Sequence, residues 1–113
     1  MHELKIAEDL SAIVLEAAKN AKLGKVSRVN VIFGQMIQIV PDIFEFAFSE
    51  SVRDTIAENA EIDIQIMPIK MRCKGCGKDF RVENNRFECS DCGSADLEII
   101  NGKELFIKSI EGE

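Results

Sequence analysis

Residues 41–56 read PDIFEFAFSESVRDTI, and this stretch decides the fold because it fits two periods at once. Phe44, Phe46 and Phe48 alternate as in a strand, whereas Ile43, Ala47, Phe48, Val52 and Ile56 fit a broad helical face. Length and ends favour the helix. Pro41 suits a first helical turn, Asp42 and Glu45 lie where the helix dipole favours negative charge, and the run is longer than an ordinary strand. On that reading Phe46 points away from Phe44 and is expected to pack against another element rather than stand exposed to a partner.

Upstream, Ile6, Leu10, Ile13, Ala17 and Ala21 recur at steps of three or four, which predicts a helix from about Glu3 to Lys22. Glu3, Glu8 and Asp9 lie early and Lys19 and Lys22 late, as the dipole prefers, and Gly24 can supply the left-handed residue that ends it. VSRVNVIFG (26–34) reads as a strand with Val29, Val31 and Phe33 on its more buried face, closed by Gly34. Downstream, Ile62, Ile64 and Ile66 share one face of a second strand that Pro68 ends. DLEII (96–100), NGK and ELFIKSI (104–110) read as a hairpin across Asn-Gly, and Leu105, Ile107 and Ile110 need covering. The last strand is expected to return to the sheet of residues 28–33 and 61–66, which makes the segment between an insertion. The predicted fold is mixed α+β: a small sheet packed with two helices plus an inserted zinc-ribbon-like module. Its two parts are residues 1–69, completed by 101–113, and residues 70–100.

Composition narrows the function. The chain has 113 residues, 46% of them apolar and 30% charged, which is globular. Fourteen basic against 20 acidic residues leave a formal charge of −6, a field that repels phosphate backbones, so nucleic acid is not an expected partner. No secretory signal and no apolar run long enough to span a bilayer are visible, which predicts a cytoplasmic protein without membrane contact. No Ser-His-Asp set, paired-carboxylate pocket or glycine-rich phosphate loop stands out, so the chain is not expected to be an enzyme.

The chemistry lies in CKGCGKDFRVENNRFECSDCG (73–93). Cys73 and Cys76, then Cys89 and Cys92, form two C-x-x-C pairs, each followed by a glycine. Two intervening residues let a tight turn aim both thiolates at one ion, and four sulfurs close a tetrahedral site with no position for substrate. Structural Zn(II) is the expected occupant; a rubredoxin-like iron site and a redox dithiol are the alternatives. Lys70, Arg72, Lys74, Lys78, Arg81 and Arg86 surround the quartet in sequence and are expected to compensate its negative charge rather than to bind nucleic acid.

His2 is the one histidine. It is either a solvated end residue or a metal ligand. In the second case the Met1 amine, a deprotonated amide and the His2 imidazole can form two fused chelate rings, a donor set that suits flat Ni(II) or Cu(II) coordination.

Taken in order, MHE at the amino terminus, the amphipathic first helix, a strand ending in Gly34, PDIFEFAF and the two C-x-x-C pairs before a terminal strand resemble the HypA/HybF hydrogenase maturation nickel metallochaperones over essentially the whole chain. The resemblance implies a nickel-binding α/β domain with a zinc module inserted before its last strand. It places Ni(II) at Met1, His2 and Glu3 as transient cargo, and Zn(II) at Cys73, Cys76, Cys89 and Cys92. It further implies transfer, with a HypB-type GTPase, to the large subunit of a [NiFe]-hydrogenase; urease as a recipient and a homodimer stay open. Gln35 departs from the glutamate that members commonly carry after the glycine, which puts a surface or partner contact in doubt but no metal role. The competing reading from another class is a zinc-ribbon adaptor of transcription or translation machinery. It differs in tolerating loss of residues 1–3.

Overall fold

The computed structural model describes residues 3–113. Helix α1 spans Glu3–Asn20, strand β1 Val26–Gly34, helix α2 Pro41–Ser51 and strand β2 Glu61–Met67; a 3-10 turn over Gln35–Ile37 follows β1. Strands β3 (Lys70–Cys73), β4 (Asp79–Arg81) and β5 (Leu97–Asn101) come next, and β6 (Leu105–Gly112) is last. There are two sheets. In the first, β1 is central, parallel to β2 and antiparallel to β6; in the second, β3 is central and antiparallel to both β4 and β5. The parallel pair needs a crossover, and α2 supplies it.

The two-period stretch is a helix because its Pro41 start and its buried stripe agree. Phe44, Ala47, Phe48 and Val52 face the core, where Phe44 meets the Phe33 ring edge-on at 4.9 Å between centroids. This helix is shorter than the sequence suggests, ending at Ser51; residues 52–59 run in turns, with Asp54 and Asn59 in left-handed conformation. The core lies between the helices and the first sheet, built from Ala7, Leu10, Val14 and Ala18 of α1, Val29, Val31 and Phe33 of β1 and the α2 stripe, with Ile62, Ile64, Ile107 and Ile110 at its margin.

Four expectations are corrected. Phe46 is 68% exposed, since its position on α2 lies outside the stripe that Phe44 and Phe48 define. The buried stripe of α1 runs through Ala7, Leu10, Ser11, Val14 and Ala18, so Ile13 and Ala17 face solvent. The left-handed residue ending α1 is Lys22 (φ 59°), not Gly24: Lys22 N–H reaches Lys19 O at 3.1 Å and Leu23 N–H reaches Ala18 O at 3.0 Å, a Schellman closure. Finally, residues 97–101 and 105–112 do not form a hairpin. Asn101 keeps an ordinary φ, Gly102 takes φ 122°, and the chain crosses from the second sheet back to the first. The return of the last strand to β1 is as expected, with Leu105 left 41% exposed.

The contrast between two phenylalanines two residues apart gives a direct check. Phe44→Ala is expected to lower stability by about 3–5 kcal/mol, because it empties a filled core site. Phe46→Ser should change it by less than about 0.5 kcal/mol. Urea denaturation of both variants measures the difference.

Candidate metal centre

Both cysteine knuckles repeat one backbone pattern. Cys73 N–H donates to Lys78 O at 2.8 Å and Gly77 N–H to Cys73 O at 2.8 Å; Cys89 N–H donates to Ser94 O and Gly93 N–H to Cys89 O, each at 2.9 Å. The turn closes through a glycine at φ 77° in the first knuckle and 74° in the second, conformations that side-chain-bearing residues rarely adopt. Strand β3 delivers Cys73. Lys74 N–H bonds Asp96 O at 2.9 Å, tying the first knuckle to the chain beyond the second.

The result is a quartet whose sulfurs all lie within 4.8 Å of one another, the closest pairs being Cys73–Cys92 at 3.5 Å and Cys76–Cys89 at 3.6 Å. A tetrahedral ion with metal–sulfur bonds of about 2.3 Å needs edges of about 3.8 Å, so these residues fit one closed site. Among the described residues this is the one group of histidine, cysteine or carboxylate side chains so arranged.

Cys73 and Cys89 are buried, Cys76 and Cys92 exposed. The Cys76 amide, 3.4 Å from the Cys73 sulfur, lowers the Cys73 thiol to about 6. The Cys92 and Asp91 amides likewise lower Cys89. Cys92 is pushed up to about 12: the Ser94 amide pulls it down, but the proton shared with Cys73 and Cys89 outweighs that pull. Cys76 is raised in the same way, against the Lys78 amide, by Cys89 and Cys73. The knuckle amides thus favour the charged form at Cys73 and Cys89, whereas Cys76 and Cys92 hold protons that a bound cation must expel.

Three of the six surrounding cations pair with carboxylates. Arg72 binds Asp79 at 2.7 Å, Lys78 binds Asp91 at 2.9 Å and Arg86 binds Glu88 at 3.5 Å; Lys78 also feels the sulfurs of Cys89 and Cys76, as compensation of the quartet's charge requires.

Of the amino-terminal set, Met1 and His2 lie outside the described residues. Glu3 opens α1, and its Oε2 accepts the Val40 N–H at 3.1 Å, which brings the start of α1 to the start of α2. Sequence reasoning missed this contact and also the role of Gln35, whose Oε1 accepts the Ile69 N–H at 3.0 Å. The mark of the second was its place directly after the strand-closing glycine.

A family model described as hydrogenase/urease nickel incorporation, metallochaperone, hypA matches residues 1–112. The hydrogenase maturation factor HypA of Dehalococcoides mccartyi strain CBDB1 is 38% identical over 111 residues, covering 98% of this chain and 93% of that one. The factor of the same name from Aquifex aeolicus strain VF5 is 34% identical over 113 residues, covering 100% and 98%. The solution structure of the Ni metallochaperone HypA from Helicobacter pylori superposes with a TM-score of 0.72 at 27% identity, over 99% of this chain and 97% of that one. The paired knuckles thus sit in a fold and a sequence that match from one end almost to the other, and the chain belongs to the HypA family.

Proposed function

We propose that this chain is a non-enzymatic nickel metallochaperone that binds Ni(II) at its amino terminus and delivers it during maturation of [NiFe]-hydrogenase, while Zn(II) on Cys73, Cys76, Cys89 and Cys92 holds the cysteine module in shape. The observation that carries the reading is the match along nearly the whole chain to a nickel-incorporation family, in a molecule whose described metal-ligating cluster is a closed sulfur site. A closed site holds its ion. Cargo must leave, so it needs a second site, and MHE at the start of the chain supplies the donors.

Residues 1–69 with 101–113 would form the nickel domain and residues 70–100 the zinc domain. The Met1 amine, the His2 amide and the His2 imidazole would enclose nickel in fused rings, with Glu3 beside them. A HypB-type GTPase and the hydrogenase large subunit would be the partners, in the cytoplasm, and urease a second recipient.

The chelate is tested on untagged protein. His2→Ala should abolish nickel binding, read by calorimetry and by the absorption of flat Ni(II), yet leave zinc content unchanged. Because the ligands must lose protons first, nickel affinity should fall as pH drops through the imidazole range. A few residues added ahead of Met1 convert the amine to an amide and should weaken binding as much. Unchanged affinity and spectrum in the extended protein would rule out the terminal chelate.

A further inference from the structure

We infer that Gln35 is a positioning residue: its side-chain carbonyl clasps the strand entering the cysteine module and so fixes that module's direction relative to the amino-terminal end of the chain. The significance for nickel delivery rests on the function proposed above; the clasp itself does not.

The two sheets share no ladder. Pairing in the first ends at Gly34 opposite Met67 and at Phe33 opposite Leu105, and in the second it begins at Lys70 opposite Asn101. Residues 68–69 and 102–104 alone cross between them. Pro68 has no N–H to offer. Ile69 is buried; its N–H donates to Gln35 Oε1 at 3.0 Å, while its carbonyl accepts the Val82 N–H of the module at 2.9 Å. Ile69 is therefore bonded on one side to the turn after β1 and on the other to the module.

The second crossing strand is held from the same turn. Met36 N–H donates to Gly102 O at 2.9 Å and Gly34 N–H to Glu104 O at 2.6 Å. Residues 34–36 thus grip both connections, and the segment they begin reaches Val40, whose N–H holds the Glu3 carboxylate. Three bonds make the grip. Two are backbone to backbone, so Gln35 is the member whose own side chain makes the bond. A partly buried amide left without an acceptor shifts such an equilibrium by roughly tenfold or more.

The test uses the full chain with its resident metal and no nickel, measured by residual dipolar couplings and 15N relaxation. In the native protein, residues 70–101 and the α1/β1 unit should report one alignment and one tumbling time. Gln35→Met should split them, with the open population rising about tenfold and faster tumbling confined to 70–101. Gln35→Glu, whose carboxylate can accept the same amide, should restore a single body, a rescue that loss of packing alone would not produce. Gln35→Asn, too short to reach, should behave as Gln35→Met and takes its place if that variant does not fold. Native couplings in both Met and Asn variants would overturn the assignment, as would a Glu variant that opens as far as the Met variant. Since nickel is absent throughout, failure of the amino-terminal chelate would leave this result untouched.

Discussion

Cys76→Ser is expected to lower zinc affinity by more than about 100-fold, beyond what loss of an outer-shell partner costs, and to unfold residues 70–101 while α1, α2 and the first sheet stay folded. The module has little else to hold it. Its own buried apolar residues are Ile69, Met71 and Val82, with Phe80, Leu97 and Ile99 at the margin, far fewer than the core of the first sheet. So small a cluster does not offset the chain entropy of some thirty residues, and metal binding must contribute folding free energy. Cys76 is exposed, so serine at that position disturbs no packing and the effect isolates ligation. Metal analysis with amide spectra reads both halves: lost ion, lost dispersion in 70–101, retained peaks elsewhere. Full zinc content in the variant would show that three sulfurs suffice. Acid should act in the same direction. Metal affinity already falls with pH through the protons that Cys76 and Cys92 must lose, and the metal-free Cys73 thiol, lowered to about 6, adds one more below that value, so the fall steepens there.

Gly34→Ala is expected to cost about 3 kcal/mol or more, a large value for one methyl group. The reason is space, since Gly34 has an ordinary extended backbone at φ −71° and ψ 148°. A Cβ there falls on the carbonyl of Gly102, a backbone atom in the returning crossing that cannot rotate away. Either the grip on that crossing opens or β1 shifts against β6. Gly24→Ala serves as the control: its Cβ meets only Glu113 O at 3.6 Å, an ordinary contact, and stability should stay within about 0.5 kcal/mol of native. Equal losses in the two variants would show that propensity, and not the crossing, sets the cost.

What could be read from the residues divides by the range of the interaction. β1, β2 and the quartet were legible because alternation and C-x-x-C spacing are local signals, and the return of the last strand followed from Ile107 and Ile110 needing a core. The hairpin was misread because Asn-Gly is a turn signal only when both flanking strands pair with each other; here Leu97–Asn101 pairs with β3 and Leu105–Gly112 with β1, partners far away in sequence. Phe46 and the α1 stripe were misassigned for a related cause. A helix with apolar residues on several faces does not reveal which face the core will take, and the stripe through Ala7, Leu10, Val14 and Ala18 is buried in place of Ile13 and Ala17. Gln35 was recognised as unusual but not as a clasp, since nothing near it in sequence announces Ile69. The amino-terminal ligands were legible as a donor set, the Met1 amine with the amide and imidazole of His2, and as a family resemblance.

The placement of the knuckles between β2 and β6 also orders events during synthesis. Until β6 leaves the ribosome, β1 carries Val29, Val31 and Phe33 with one edge unpaired, and the helices have only part of a sheet to cover. Residues 70–104 take roughly 2–7 s to translate at ordinary rates. All four sulfurs are made within that interval, and the fourth, Cys92, comes late in it. The first sheet therefore closes only after the whole module has been made, and its core waits on the length of the insertion.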